Sequence, residues 1–205
     1  MKIKQYTFLL LLFVTAICLS GCFRSQSPFY ENEQIVQDDR IVGTYEDRPS
    51  ESTWWVSRSQ DFPGKYQLLL KDDNATAELV GTLFRLNDIL YLDIFPIKDS
   101  GMRPDPGGPP TTSELVHSIL YQPQHLVWKV ELSETNFVFW SPSKRGISQA
   151  LKIAPELKPK SGSMAETLTL QLPDSTKDSQ VYLRRFGTNT MIFDNRGQMA
   201  KTMKQ

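Results

Sequence analysis

From Arg40 onward apolar and polar residues alternate along the chain, the period-two pattern of antiparallel strands with one buried face. The segment His125–Leu132 is the clearest case: Leu126, Trp128, Val130 and Leu132 share one face, and His125, Lys129 and Glu131 the other. In Lys65–Lys71 the inward set is Tyr66, Leu68 and Leu70, and in Glu166–Leu172 it is Leu168, Leu170 and Leu172. Shorter strands are predicted at Ile41–Glu46, Thr53–Arg58 and Phe137–Trp140. Ala77–Leu86 and Ile89–Phe95 flank Asn87-Asp88, a two-residue turn signal, and read as a hairpin. The second of them is apolar on both faces, which places it centrally, covered on both sides.

Two helices interrupt the strands. Ser141-Pro142 reads as a cap followed by proline at the first helical position, with Ile147, Ala150 and Leu151 on one face. The second runs from Ser175 to Phe186. Ser175 and Asp178 form a capping-box pattern, Arg184 and Arg185 suit the C-terminal end of the dipole, and Gly187 stops it. Between Asp99 and Thr112 proline and glycine forbid regular structure, so a long loop is expected, of the length that binding loops often have. The fold class that follows is mainly β: an antiparallel barrel of seven or eight strands with two short helices in its C-terminal half. A β-sandwich is the alternative.

The first residues follow a different pattern. Lys2 and Lys4 precede an almost purely apolar stretch from Tyr6 to Leu19, and small residues Ser20 and Gly21 lead to Cys22. The stretch is shorter than the roughly 20 residues a spanning helix needs, and reads as a secretory signal over residues 1–21. Leu19-Ser20-Gly21-Cys22 resembles the bacterial lipoprotein signal. That resemblance implies cleavage before Cys22 and acylation of its thiol, the anchor to a membrane. Phe23 rather than aspartate after the cysteine points to the outer membrane of a double-membraned host. Residues 22–38 then read as a polar tether, 39–194 as the barrel domain and 195–205 as a frayed tail.

Composition narrows the function. The chain has 23 basic and 23 acidic residues, and removing Lys2 and Lys4 with the signal leaves a net charge of −2. No basic patch appears, so nucleic-acid binding is excluded as a reading. Cys18 leaves with the signal and Cys22 carries lipid, so the domain is held by its core alone, without disulfides. No phosphate loop, dinucleotide fingerprint or nucleophile elbow occurs, Ser161-Gly162-Ser163 included, and no cofactor is called for.

A wider resemblance rests on Leu83-Phe84-Arg85-Leu86-Asn87-Asp88-Ile89-Leu90-Tyr91-Leu92-Asp93-Ile94-Phe95-Pro96 and on the Asp174–Phe186 helix before Met191-Ile192-Phe193. Both are similar to segments of uncharacterised bacterial lipoproteins. Val42-Gly43-Thr44-Tyr45 is more distantly similar to the Gly-x-Trp opening of lipocalin-like barrels, with tyrosine in place of tryptophan. The resemblance implies a lipocalin-like (calycin-like) barrel and no established activity.

Three functions follow as expectations. The first is a non-catalytic, lipid-anchored envelope protein whose barrel binds a small apolar ligand or a protein partner, with Trp54, Tyr66, Tyr91 and Trp128 lining its mouth. The second is an assembly lipoprotein with a filled barrel, and the third an envelope hydrolase. Trp54 and Trp55 adjoin on a strand, so one points inward and the other outward. His117 and His125 sit in no metal-binding arrangement and read as surface residues. Asp88 reads as a turn residue. Asp93, in an apolar strand, reads as structural and in need of hydrogen bonds.

Overall fold

The computed structural model describes residues 22–47, 52–71, 76–97, 124–157 and 169–202. The signal segment, the Asp99–Thr112 loop, His117, Ser161–Ser163 and Leu168 lie outside them.

The core of the fold is a closed antiparallel barrel of eight strands: β2 (Gly43–Asp47), β3 (Ser52–Arg58), β4 (Tyr66–Lys71), β5 (Thr76–Leu86), β6 (Ile89–Pro96), β7 (His125–Leu132), β8 (Asn136–Ser141) and β10 (Asn195–Lys201). Pairing of β6 with β7 closes it. The alternation read from the sequence is realised. Tyr66, Leu68 and Leu70 meet Trp54, Val56, Leu79, Leu83, Leu92, Leu126, Trp128 and Val130 in one interior cluster. The hairpin at Asn87-Asp88 has positive φ at both residues, 50° and 61°, as a tight two-residue turn requires.

Two segments depart from expectation. The supposed tether is packed. Cys22–Ser25 forms β1, antiparallel to β7 and parallel to β9 (Thr169–Gln171). Phe23 and Phe29 are completely buried. Four residues are too few to display a period, and this strand instead completes the edge of β7 below the point where β8 leaves it. The supposed tail contains β10, which pairs with β8 over six residues and with β2. Only Met199 of its side chains is buried, so backbone pairing rather than hydrophobicity holds a polar strand that closes the ring.

Helices α1 (Lys144–Ile153) and α2 (Thr176–Phe186) form with β1 and β9 a second, outer cluster. The cap of α1 is Ser143, not Ser141: its hydroxyl accepts from the N–H groups of Arg145 and Gly146. Pro142 therefore precedes the cap. Ser175 caps α2 as the sequence indicates, accepting from Asp178 N–H. Gly187 ends α2 in right-handed conformation (φ −61°). Its lack of a side chain matters because the Tyr91 hydroxyl occupies the space a Cβ would need.

Candidate functional site

The structure divides the four aromatic residues assigned to a barrel mouth. Trp54, Tyr66 and Trp128 belong to the interior, where the Trp54 and Trp128 rings lie 6.0 Å apart and Trp128 stacks on Phe139 at 4.6 Å. Tyr91 points the other way. It stacks on Phe84 at 5.3 Å in the outer cluster and donates to the Leu183 carbonyl at 3.4 Å. Within the interior, Leu68 and Leu92 occupy the space left by Gly81. Trp55 is on the outer face and exposed, opposite in direction to Trp54.

A cavity of about 370 Å³ lies instead on the outer wall. Its floor is the outward face of three adjoining strands, with Val80 and Thr82 from β5, Asp93 and Phe95 from β6, and His125 from β7. Pro28 and Tyr30 of the segment after β1 form one side. Phe62 and Lys65, from the turn between β3 and β4, form another. Lys65 Nζ lies 5.5 Å from the Tyr30 ring centroid and 5.9 Å from that of Phe62. At these distances the ammonium is attracted to the ring faces.

Asp93 and His125 are the polar centre of this floor. Asp93 Oδ1 lies 2.7 Å from His125 Nδ1, and Oδ2 accepts from the Phe29 N–H at 3.0 Å. Both side chains are largely withdrawn from water, and these two contacts offset the cost of burying a carboxylate. Asp93 is thus bonded as the sequence demands, by a backbone N–H and a ring rather than by a hydroxyl. His125 is not the simple surface residue its strand pattern suggests. Asp93 stands directly across from Val127, so His125 is its diagonal neighbour two residues away. That juxtaposition follows from the β6–β7 register, which long-range closure sets and no local pattern reveals. The carboxylate places the ring proton on Nδ1 and leaves Nε2 as the second polar atom. Phe95 supports the ring at a centroid distance of 4.5 Å.

Among the lining residues the hydroxyls are those of Thr82 and Tyr30, and Thr82 Oγ1 donates to Tyr30 Oη at 3.3 Å. An oriented imidazole is present, without a serine or cysteine in the lining for it to activate. Among the described residues no group of three histidine, cysteine or acidic side chains is arranged to hold a metal, and no helix is long and apolar enough to cross a membrane.

Cys22 is buried at the start of β1, and burial pushes its thiol up to about 11, opposed by the nearby Arg24 charge. Asp88 is exposed in its turn; its carbonyl accepts from Arg85 at 3.1 Å. No protein-family model, curated protein or solved structure matches the chain.

Proposed function

We propose that this protein is a lipid-anchored component of a bacterial cell envelope that binds a small, mainly apolar molecule, without catalysing its conversion. The ligand occupies the cavity on the outer wall, and the barrel is its solid scaffold. The observation that carries the reading is the cavity itself. It has aromatic and aliphatic walls with a few polar side chains (Lys65, Thr82, Asp93, His125 and the Tyr30 hydroxyl) in one lining, the composition of small-molecule sites. Bonding between the lining hydroxyls supports a binding role over acyl transfer.

Anchoring rests on the Leu19-Ser20-Gly21-Cys22 signal, and Phe23 in place of aspartate supports an outer-membrane anchor in a double-membraned host. A diacylglyceryl group has no room where the Cys22 thiol lies, so acylation draws the first residue of β1 out of the sheet. The domain then stands close to the bilayer rather than at the end of a tether. The packed interior cluster favours a second reading, an assembly role through a protein partner.

Gentle mass spectrometry of the full chain extracted from membranes tests both readings. A small molecule released on denaturation, retained by Trp54→Phe and lost in Phe62→Ser, supports the outer-wall site. A protein carrying nothing but acyl chains, with a reproducible crosslinked partner, supports assembly. An unacylated Cys22 overturns the anchor.

A further inference from the structure

The donors and acceptors of the cavity indicate the charge of its occupant. Asp93 is the one carboxylate among the lining residues, and both its oxygens are committed, to His125 Nδ1 and to the Phe29 N–H. The donors that remain are at Lys65 and Tyr30. Lys65 has no carboxylate partner among the described residues, and its ammonium is held over the Tyr30 and Phe62 rings at the rim. Tyr30 Oη accepts from Thr82, which leaves its own proton to give. His125 Nε2, with the ring proton on Nδ1, is an acceptor without a partner among the described residues, open to the proton of an acid or an alcohol. With both Asp93 oxygens bonded inside the floor, Lys65 supplies the cationic group of the lining at the rim, beside walls of low polarity, where an ionic contact is worth more than in water.

We propose that the cavity takes a small amphiphilic anion, an inference that rests on the cavity being the ligand site. An aryl or short-chain acyl body lies between Phe62, Phe95 and Val80. A carboxylate or phosphate sits at the Lys65 ammonium and the Tyr30 hydroxyl. The volume of about 370 Å³ is at the small end of the range for ligand sites, so the body is a ring system or a short chain rather than a whole lipid.

Four probes sharing one ring system separate charge from shape: naphthoate, naphthyl phosphate, naphthylmethanol and naphthylmethylamine. Each is titrated into the purified full chain by calorimetry, with NMR of the Phe62 and His125 resonances to locate it. The expected result is that an anion binds at least about tenfold more tightly than the alcohol, and the amine most weakly. Lys65→Gln removes that preference and leaves the alcohol's affinity in place, while Lys65→Arg keeps the preference. The ranking of naphthoate against naphthyl phosphate tells a carboxylic acid from a phosphate ester as the natural source. Equal binding of alcohol and anions, tighter binding of the amine, or a preference that survives Lys65→Gln overturns the anion while leaving the cavity as a site. Failure of all four to bind, with the Phe62 and His125 resonances unmoved, overturns the site itself.

Discussion

The two faces of strand β6 do different jobs. Leu92 and Ile94 point into the barrel and are packed on every side, whereas Tyr91 and Asp93, one residue along, point outward under α2 and the segment after β1. The inner face is made by strands that alternate and close on one another, so it is dominated by apolar side chains packed into one cluster. The outer face is covered by pieces from distant parts of the sequence, which meet it unevenly. That unevenness leaves the cavity and accommodates a buried carboxylate. The interior cluster and the proposed binding cavity thus lie on opposite sides of one sheet.

The most forceful way to break this comparison is to truncate a large side chain on each side. Trp128→Ala removes an interior indole and is expected to cost about 3–5 kcal/mol. Phe23→Ala, in a segment the sequence presents as a tether, is expected to cost as much. Its ring is completely buried between Phe186 at 5.4 Å and Phe193 at 5.5 Å. Phe62→Ser, at an exposed turn, should stay within about 0.5 kcal/mol of the parent while abolishing uptake. Urea unfolding reads all three. A Phe23→Ala protein as stable as the parent would restore the tether. Trp128→Ala losing uptake without losing stability would return the ligand to the barrel interior.

The sequence revealed the barrel because alternation is local. Tyr66, Leu68 and Leu70, or Leu126, Trp128 and Val130, need no knowledge of their partners to show a buried face. The Asn87-Asp88 turn and the Ser175 cap are likewise contained within a few residues. The elements that escaped are defined by what they pair with. β1 is four residues long, and β10 buries Met199 alone, so neither carries a pattern, yet each fills an edge that the sheet leaves open. The candidate site escaped for the same reason. Asp93 and His125 are separated by 32 positions and meet through a register between strands, with Phe29 contributed from a third place. Tyr91 was grouped with the wrong aromatics because alternation tells that two faces exist without telling which one a doubly apolar strand turns inward.

Asp93→Asn sharpens the comparison on the outer side. The amide keeps the shape but not the charge that faces the imidazole, and hydrogen bonds to charged groups contribute about 1.5–3 kcal/mol. A loss of that size in urea unfolding is expected, and nitrogen-15 NMR should show His125 losing its fixed proton on Nδ1. An unchanged stability together with the disappearance of a hydrolytic activity would instead make the pair catalytic and sink the binding-only reading.

The smallest effect concerns the tyrosines on either side of the wall. Burial pushes Tyr45 up to about 12 from 10.0, its hydroxyl donating to the Ile41 carbonyl at 2.9 Å, and burial raises Tyr91 further still. Below about pH 10 these hydroxyls are protonated in both folded and unfolded chains, so they add no pH dependence. Above it the unfolded chain releases protons that the folded chain keeps. Stability should therefore fall with rising pH, by about 1.4 kcal/mol per pH unit for each tyrosine so held. Urea midpoints from about pH 8 to about pH 11 measure the slope. Tyr45→Phe isolates the inner contribution from surface lysines that titrate nearby, since it lowers stability at neutral pH and flattens the alkaline decline. A Tyr45→Phe protein that declines as steeply as the parent would mean that water reaches the Tyr45 hydroxyl, and that the interior is less completely filled than the outer wall is open.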